Sequence, residues 1–521
     1  WNHVFNDIHI TNFFAGTEIN STDRSKNYYQ GWGMQYSMGE IPYYVYEFFK
    51  KGIEDGNNYY SLSQTRSRSA AFFANATYSY KGRYTVNGTA RYEGTNRMGK
   101  SRSARWLPTW NVSGAWNAHE EKFFSNLTSV LSHFTLKASY SLTADRGPAD
   151  VTNSQAIITS YSPYRPFTSI QEAGLYIKEL ENSELTYEKK HELNIGADMG
   201  FLNNRINLAV DWYKRNNYDL IGIVNTQGAG GQILKYANIA SMKSHGIEFT
   251  LSTKNIKTKD FNWNTDFIFS NAKNEVTDLK QNANVMELIS GNGFAKQGYP
   301  VRGLFSIPFV GLDKDGIPVI INEKGEATST DINFQERQNT GFLKYEGPTD
   351  PTITGSLGNM FSYKGFRLNL FITYSFGNVI RLNPVFKAYY SDLTAMTREF
   401  KNRWTLPGDE AKTNVPAILS KRMYDSNEDL KYAYNAYNYS TERIAKGDFI
   451  RLKEISLAYD FPKAWINPLK LTDLSPKVQA TNLFLIYADD KLNGQDPEFF
   501  NAGGVASPVP RQFTITLRLG L

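Results

Sequence analysis

The chain has 521 residues, with 33 Tyr, 33 Phe and 9 Trp, no cysteine, and a net charge of +6. Without cysteine there are neither disulfides nor thiolate chemistry, and a mild, scattered charge argues against a nucleic-acid surface. No apolar run approaches the roughly 18–20 residues of a membrane-spanning helix; a spanning strand shows only every second residue to lipid, so the negative mean hydropathy does not speak against a barrel.

The opening residues WNHVFNDIHI read as a strand and a turn. No charged-then-apolar signal segment precedes them, so the expectation is a chain that is processed or N-terminally incomplete. Period-two alternation then recurs to the end. Phe134, Leu136, Ala138, Tyr140 and Leu142 share one phase, as do Ile206, Leu208, Val210 and Trp212. The same holds for Phe366, Leu368, Leu370, Ile372, Tyr374 and Phe376, and at the end for Phe513, Ile515, Leu517 and Leu519. Such runs last about 9–11 residues or more, the length a tilted strand needs to cross a bilayer.

About 14 full strands and an N-terminal stub are predicted. Short turns at Asn6-Asp7, Lys81-Gly82, Asn203-Asn204, 255–260 and Lys364-Gly365 alternate with long polar connections at 25–65, 144–185, 219–236, 279–350, 382–446 and 487–510. Long loops at one end and short turns at the other are the pattern of an outer-membrane barrel. Residues 120–131 (EEKFFSNLTSVL) have helical spacing and are expected to form a small amphipathic helix at the short-turn rim, and 462–476 a similar rim turn. The fold class predicted is therefore all-β, a transmembrane antiparallel β-barrel occupying residues 1–521 as a single unit.

The stretch GDFIRLKEISLAYDFP, 447–462, alternates but slips phase in its middle. Arg or Lys facing lipid at the midplane costs roughly 2–4 kcal/mol, so Arg451 and Lys453 should turn inward and Ile450 and Leu452 outward. For Ile455, Leu457 and Tyr459 to face outward as well, one extra residue is needed near Lys453-Glu454, which a β-bulge supplies.

This stretch resembles the near-C-terminal strand of the SusC/RagA-like TonB-dependent outer-membrane transporters, and Asn482-Leu483-Phe484 resembles the Asn-Leu-Phe that follows it there. Residues 238–248 (NIASMKSHGIE) are similar to that family's N-x-G-x-M-x-N-x-G-[IV]-E, with Ala240 and Ser244 departing from Gly and Asn. Tyr187-Glu188-Lys189 with Asn194-Ile195-Gly196 resembles W-E-K…N-[IL]-G, with Tyr in place of Trp. Lys137 to Tyr140, Trp404 with Pro407-Gly408-Asp409, and Asp496-Pro497-Glu498 resemble it too, so that about eight weak motifs fall in order along the chain.

The resemblance implies a 22-stranded barrel of which this chain supplies 14–15 strands, the plug domain and first strands lying outside it. It further implies import of an oligosaccharide or peptide across the outer membrane of a gram-negative bacterium. A SusD-like lipoprotein would cap the outer loops, TonB would act through the absent N-terminal region, and outer-membrane lipid would surround the wall. A secreted soluble glycan-binding β-protein is the rival reading.

Seven charges fall in the inward phase: Arg91, Lys137, Asp211, Glu248, Arg367, Arg451 and Arg518. They are candidates for solute contact, for plug docking or for ordering water. Tyr43, Tyr44, Tyr389, Tyr390, Phe499 and Phe500 in the long loops could stack on sugar rings or cover a peptide; packing among loops or against the lipoprotein weighs more. The six histidines show no metal-ligand spacing, and no cofactor is expected; the acidic loop Asp489, Asp490, Asp496 and Glu498 leaves calcium open. No nucleophile motif suggests an enzyme. Residues 94–101 (GTNRMGKS) match the phosphate-loop letters, but a strand alternating apolar with polar precedes them and no helical period follows; a flexible hairpin tip is expected.

Overall fold

The computed structural model describes residues 1–57, 59–148, 156–161, 172–228, 233–385, 396–500 and 508–520. Among them, fifteen strands form one antiparallel sheet in which each pairs with its neighbours in the chain. They are β1 (Asn2–Phe5), β2 (His9–Tyr29), β3 (Tyr60–Tyr80), β4 (Tyr84–Thr95), β5 (Trp106–Asn117), β6 (Leu131–Asp145), β7 (Glu188–Phe201) and β8 (Ile206–Asn225). There follow β9 (Leu234–Lys257), β10 (Phe261–Leu279), β11 (Ile353–Tyr363), β12 (Phe366–Phe376), β13 (Phe449–Tyr459), β14 (Asp473–Ala488) and β15 (Gln512–Gly520). The number and the up-and-down order agree with the alternation in the sequence. Tight turns close the short end: Asn6 and Asp7 have φ of 50° and 54°, Lys364 and Gly365 of 44° and 92°. Two consecutive positive φ values match the twist of the strands they join.

The apolar phase is continuous across the sheet. On β2 and β3, Phe13, Ala15 and Ile19 lie opposite Ala76, Ala74 and Ala70. Beyond Ile19 the same face turns polar, with Ser21 opposite Arg68 and Asp23 opposite Arg66, 2.5 Å apart as an ion pair. These arms are 21 residues each, about twice what a bilayer requires, so the hairpin rises past the lipid. The loop expected at 25–65 is accordingly shorter, since pairing persists to Tyr29 and Tyr60. The loop at 219–236 is shortened likewise, because β8 and β9 pair up to Asn225 and Leu234. In water the ladder still satisfies backbone groups, but nothing enforces alternation of side chains, so a reading based on alternation ends these strands too early.

The bulge lies at Lys453. Phe371 pairs with Glu454 and the next residue, Ile372, with Leu452, leaving Lys453 unmatched. Leu452 and Ile450 then share the outward phase with Ile455, Leu457 and Tyr459 through Ile372, Tyr374, Leu370, Leu368 and Phe366. Across β14 the register shifts at the same place, where Asn482 takes a φ of 54°. At the short-turn rim Phe366, Tyr459, Phe461 and Trp465 make successive ring contacts at 4.5, 4.8 and 6.1 Å, an aromatic girdle of the kind that sits at a membrane interface. The helix expected at 120–131 is replaced by two 3-10 turns, Ala118–Glu120 and Lys122–Asn126. Phe124 alone of that segment is deeply buried, too little apolar contact to hold a full α-helical face. The second rim connection is a helical turn, Lys463–Ile466, continued by a 3-10 turn, Asn467–Leu469, and β14 already begins at Asp473.

Two of the long connections depart most from the polar loops expected. Residues 279–350 and the described part of 382–446 pack together around Val285, Leu288, Ile289, Phe305, Ile307, Ile320, Leu343 and Ala436. Helix α1 (Val285–Ile289) begins with Asn284 and Glu287 exchanging bonds with each other's backbone, a capping box. Helix α2 (Leu430–Asn438) buries Leu430, Ala433, Tyr434 and Tyr437. Arg381, 7 % exposed, fastens the two segments by donating to the carbonyls of Ser440 (2.9 Å), Phe305 (2.5 Å) and Ile289 (3.3 Å).

The phosphate-loop letters do not form a free tip. Met98 is fully buried, the Gly99 amide donates to the Leu185 carbonyl at 2.7 Å, and Lys100 pairs with Glu181. The strand before them is antiparallel to both neighbours, and only one helical turn, Arg102–Arg105, follows. Neither supports a phosphate cradle.

Candidate functional site

Strand register places all seven charged candidates on the polar face. One row of partners crosses five strands, from Lys137 through Gly196, Asp211 and Glu248 to Ser270. Lys137 is paired with Asp198 at 2.7 Å, and the Ser270 hydroxyl donates to Glu248 at 3.5 Å. A recess of about 470 Å³ lies beside this row, bordered by Asn87, Asn111, Ser113, Lys137, Asn194 and Asp211. Amides, hydroxyls and one carboxylate facing one ammonium can hydrogen-bond a polar solute or a polar protein surface.

A second cluster stands on β2 and β4, where Arg91 bridges Glu18 (2.9 Å) and Glu93 (2.6 Å) and Arg146 also meets Glu93. Arg367 and Arg518 stand apart from both groups, at the short-turn end. Arg367 pairs with Asp460 at 2.7 Å and Arg518 with Asp473 at 3.1 Å. Arg451, on the inward face, is 5 % exposed and reaches the last loop, 2.5 Å from Asp496 and 2.8 Å from Glu498. The acidic loop is therefore spoken for in part. Asp489 accepts the amides of Lys446 and Lys491, Asp496 and Glu498 both pair with Arg451, and among the described residues no three His, Asp or Glu converge as a metal site.

Of the loop aromatics, Tyr43 and Tyr44 are 57 % and 81 % exposed. Phe499 is half-buried, and Phe500 is packed against Ile380, Leu382, Ala445 and Leu492, so its ring is not offered to a solute. Tyr389 and Tyr390 lie outside the described residues. His191 is stacked between Tyr140 and Tyr218 on the outward face, at 5.8 and 5.7 Å.

The motifs have local physical explanations. Asn238 accepts the Thr186 amide and donates to the Thr186 and Asp219 carbonyls, stapling three segments. A Cβ on Gly246 would stand 2.5 Å from the Tyr213 hydroxyl and 2.6 Å from the Asn271 carbonyl, so only glycine fits. In the outer loops, Asp409 accepts from the Leu406 and Thr405 amides and the Thr405 hydroxyl, and these bonds, led by that of Leu406, hold its carboxyl below the usual range. Burial pushes the Tyr437 hydroxyl up to about 12 and the Lys296 ammonium down. Sequence reading missed Arg381 and the loop core, although Leu430, Ala433, Tyr434 and Tyr437 stand at i, i+3, i+4 and i+7, a helical signal.

A sheet with one apolar and one polar face, a girdled rim and long outer loops is the wall of a transmembrane β-barrel. Residues 2–304 match the family described as TonB dependent receptor-like, beta-barrel, and the chain belongs to that family, with SusC/RagA-like members among its relatives. It is 26 % identical to TonB-dependent receptor P39 of Formosa agariphila, over all of this chain and 52 % of that protein. It is 25 % identical to TonB-dependent receptor SusC of Bacteroides thetaiotaomicron, over 91 % of this chain and 47 % of SusC. The RagAB peptide transporter structure superposes on the whole chain with a TM-score of 0.77 at 21 % identity, using 54 % of that chain. The chain spans about half the length of the relatives it matches.

Proposed function

We propose that this chain forms the wall and outer loop assembly of an importer that carries an oligosaccharide or a peptide across the outer membrane of a gram-negative bacterium. A SusD-like lipoprotein seats on the outer loops, and TonB acts through parts of the protein beyond this sequence. The chain itself performs no chemistry on the solute. The observation that carries the reading is the two-faced sheet, apolar phase outward and Lys137, Asp211 and Glu248 inward, in a chain whose relatives bear the names of a SusC receptor and a peptide transporter. A secreted soluble glycan-binding protein would leave Phe513, Ile515 and Leu517, each more than half exposed, facing water without a partner.

The test is uptake by intact cells of fluorescent oligosaccharide and peptide pools, with and without the gene and with and without a protonophore. Energy-dependent uptake lost on deletion is expected. Uptake of both pools that is unchanged on deletion would overturn the reading.

A further inference from the structure

The outward face of β8, β9 and β10 carries an unusual row where its apolar phase ends. Trp212 lies opposite Ile247, and below them Val210, Phe249 and Phe269 follow in register. Directly above, Lys214 pairs with His245 and His245 with Lys273. All three are exposed, and among the described residues none of their side chains forms a hydrogen bond or an ion pair. Glu275, two residues beyond Lys273 on the same face of β10, holds Lys243 at 3.0 Å, and Asp219 of β8 holds Lys189 at 2.7 Å.

Two ammonium groups and an imidazole on the outer side of an apolar wall are strongly disfavoured in hydrocarbon and tolerated only toward the interface. Lysine stems can lie along the apolar surface and lift their heads to that level. A ligand that satisfies both parts of the surface has acyl chains for Val210, Phe249 and Phe269 and an anionic headgroup for Lys214, His245 and Lys273. We propose that this row is a binding site for the phosphate groups of an anionic glycolipid in the outer leaflet. Unlike the import reading, it needs only that the wall face lipid, and it can stand if the transported solute is something else.

The experiment uses the full-length protein purified in detergent, titrated with lipid A bearing both phosphates, with the same lipid after phosphatase treatment, and with inorganic phosphate, and read by native mass spectrometry. The K214Q/H245Q/K273Q variant should bind the phosphorylated lipid about tenfold or more weakly than wild type, as expected for losing two interfacial lysines. K214R/K273R should bind like wild type. Dephosphorylated lipid should not distinguish the proteins, and inorganic phosphate should not compete. Equal binding of phosphorylated lipid by the triple variant, or indifference to phosphatase treatment, would overturn the site. Heat-dependent gel mobility reports folding; if the triple variant does not fold, K214Q and K273Q carry the same test singly, at about fivefold each.

Discussion

Arg451 and Asp496 meet at 2.5 Å with both side chains 7 % exposed, tying β13 to the loop that follows β14. A buried pair is weak evidence of net stabilisation, but removing one member strands the other. Arg451→Ala is expected to cost about 3–5 kcal/mol, because Asp496 would keep its charge in a dry site. The double change Arg451→Met with Asp496→Leu should cost clearly less. Unfolding temperature in detergent, followed by loss of heat-modifiable mobility, compares the two; equal losses would contradict the account.

Arg381 invites a different measurement. Its three carbonyl partners come from residues 289, 305 and 440, a fork geometry that lysine cannot reproduce. Arg381→Lys should open the loop core, so that protease cleaves within 279–350 or 396–446 while the barrel keeps its mobility. Cleavage no faster than in wild type would mean the apolar core alone holds the segments.

The assignment of faces can be tested on neighbouring positions of β12. Leu370 lies in the outward phase opposite Ile455, and Asn369 in the inward phase opposite Ser456. Leu370→Arg should lose about 2–4 kcal/mol as a charge meets lipid near the midplane. Asn369→Arg should fold near wild-type stability. Reversal of that order would place the lipid on the other side.

The turn at 404–410 should respond to acid. The folded Asp409 carboxyl titrates below its unfolded value, near 3.9. The stability it lends is therefore complete above that value and is lost as pH falls through the lower, folded one. Trp404, whose indole donates to Glu410 at 3.0 Å, offers a fluorescence readout. The signal should change below about pH 4 and be absent or already shifted in Asp409→Asn; identical profiles would dismiss Asp409 as the cause.

The wall was legible because lipid imposes a strict rule, every second residue apolar, and even the bulge at Lys453 betrayed itself as a slip in that rule. Phase also located Arg91, Lys137, Asp211 and Glu248. It could not say that Lys137 is tied to Asp198, or that Arg451 reaches two acids some 45 positions away, since ion pairs between distant loops leave no periodicity. The outer loops failed for a related reason. Much of their core is assembled from short pieces, four residues at Gly303–Ser306 and five at Val285–Ile289, too brief to show a period, and the helical spacing of Leu430–Asn438 does not by itself say what it packs against.

The meander has a consequence for biogenesis. Every strand of the wall pairs with the next one in chain order, but only across the short turns is that partner also near in sequence, and those hairpins form from local encounters, which close quickly. Across the long loops the partners are distant: Phe261 pairs with Tyr363 and Phe366 with Tyr459, separations at least as long as the 92 and 45 positions bridged by the bonds of Arg381 to Ile289 and of Arg451 to Asp496. Short-turn hairpins are thus the first pieces to mature, and joining one hairpin to the next goes hand in hand with folding the long loop that separates them.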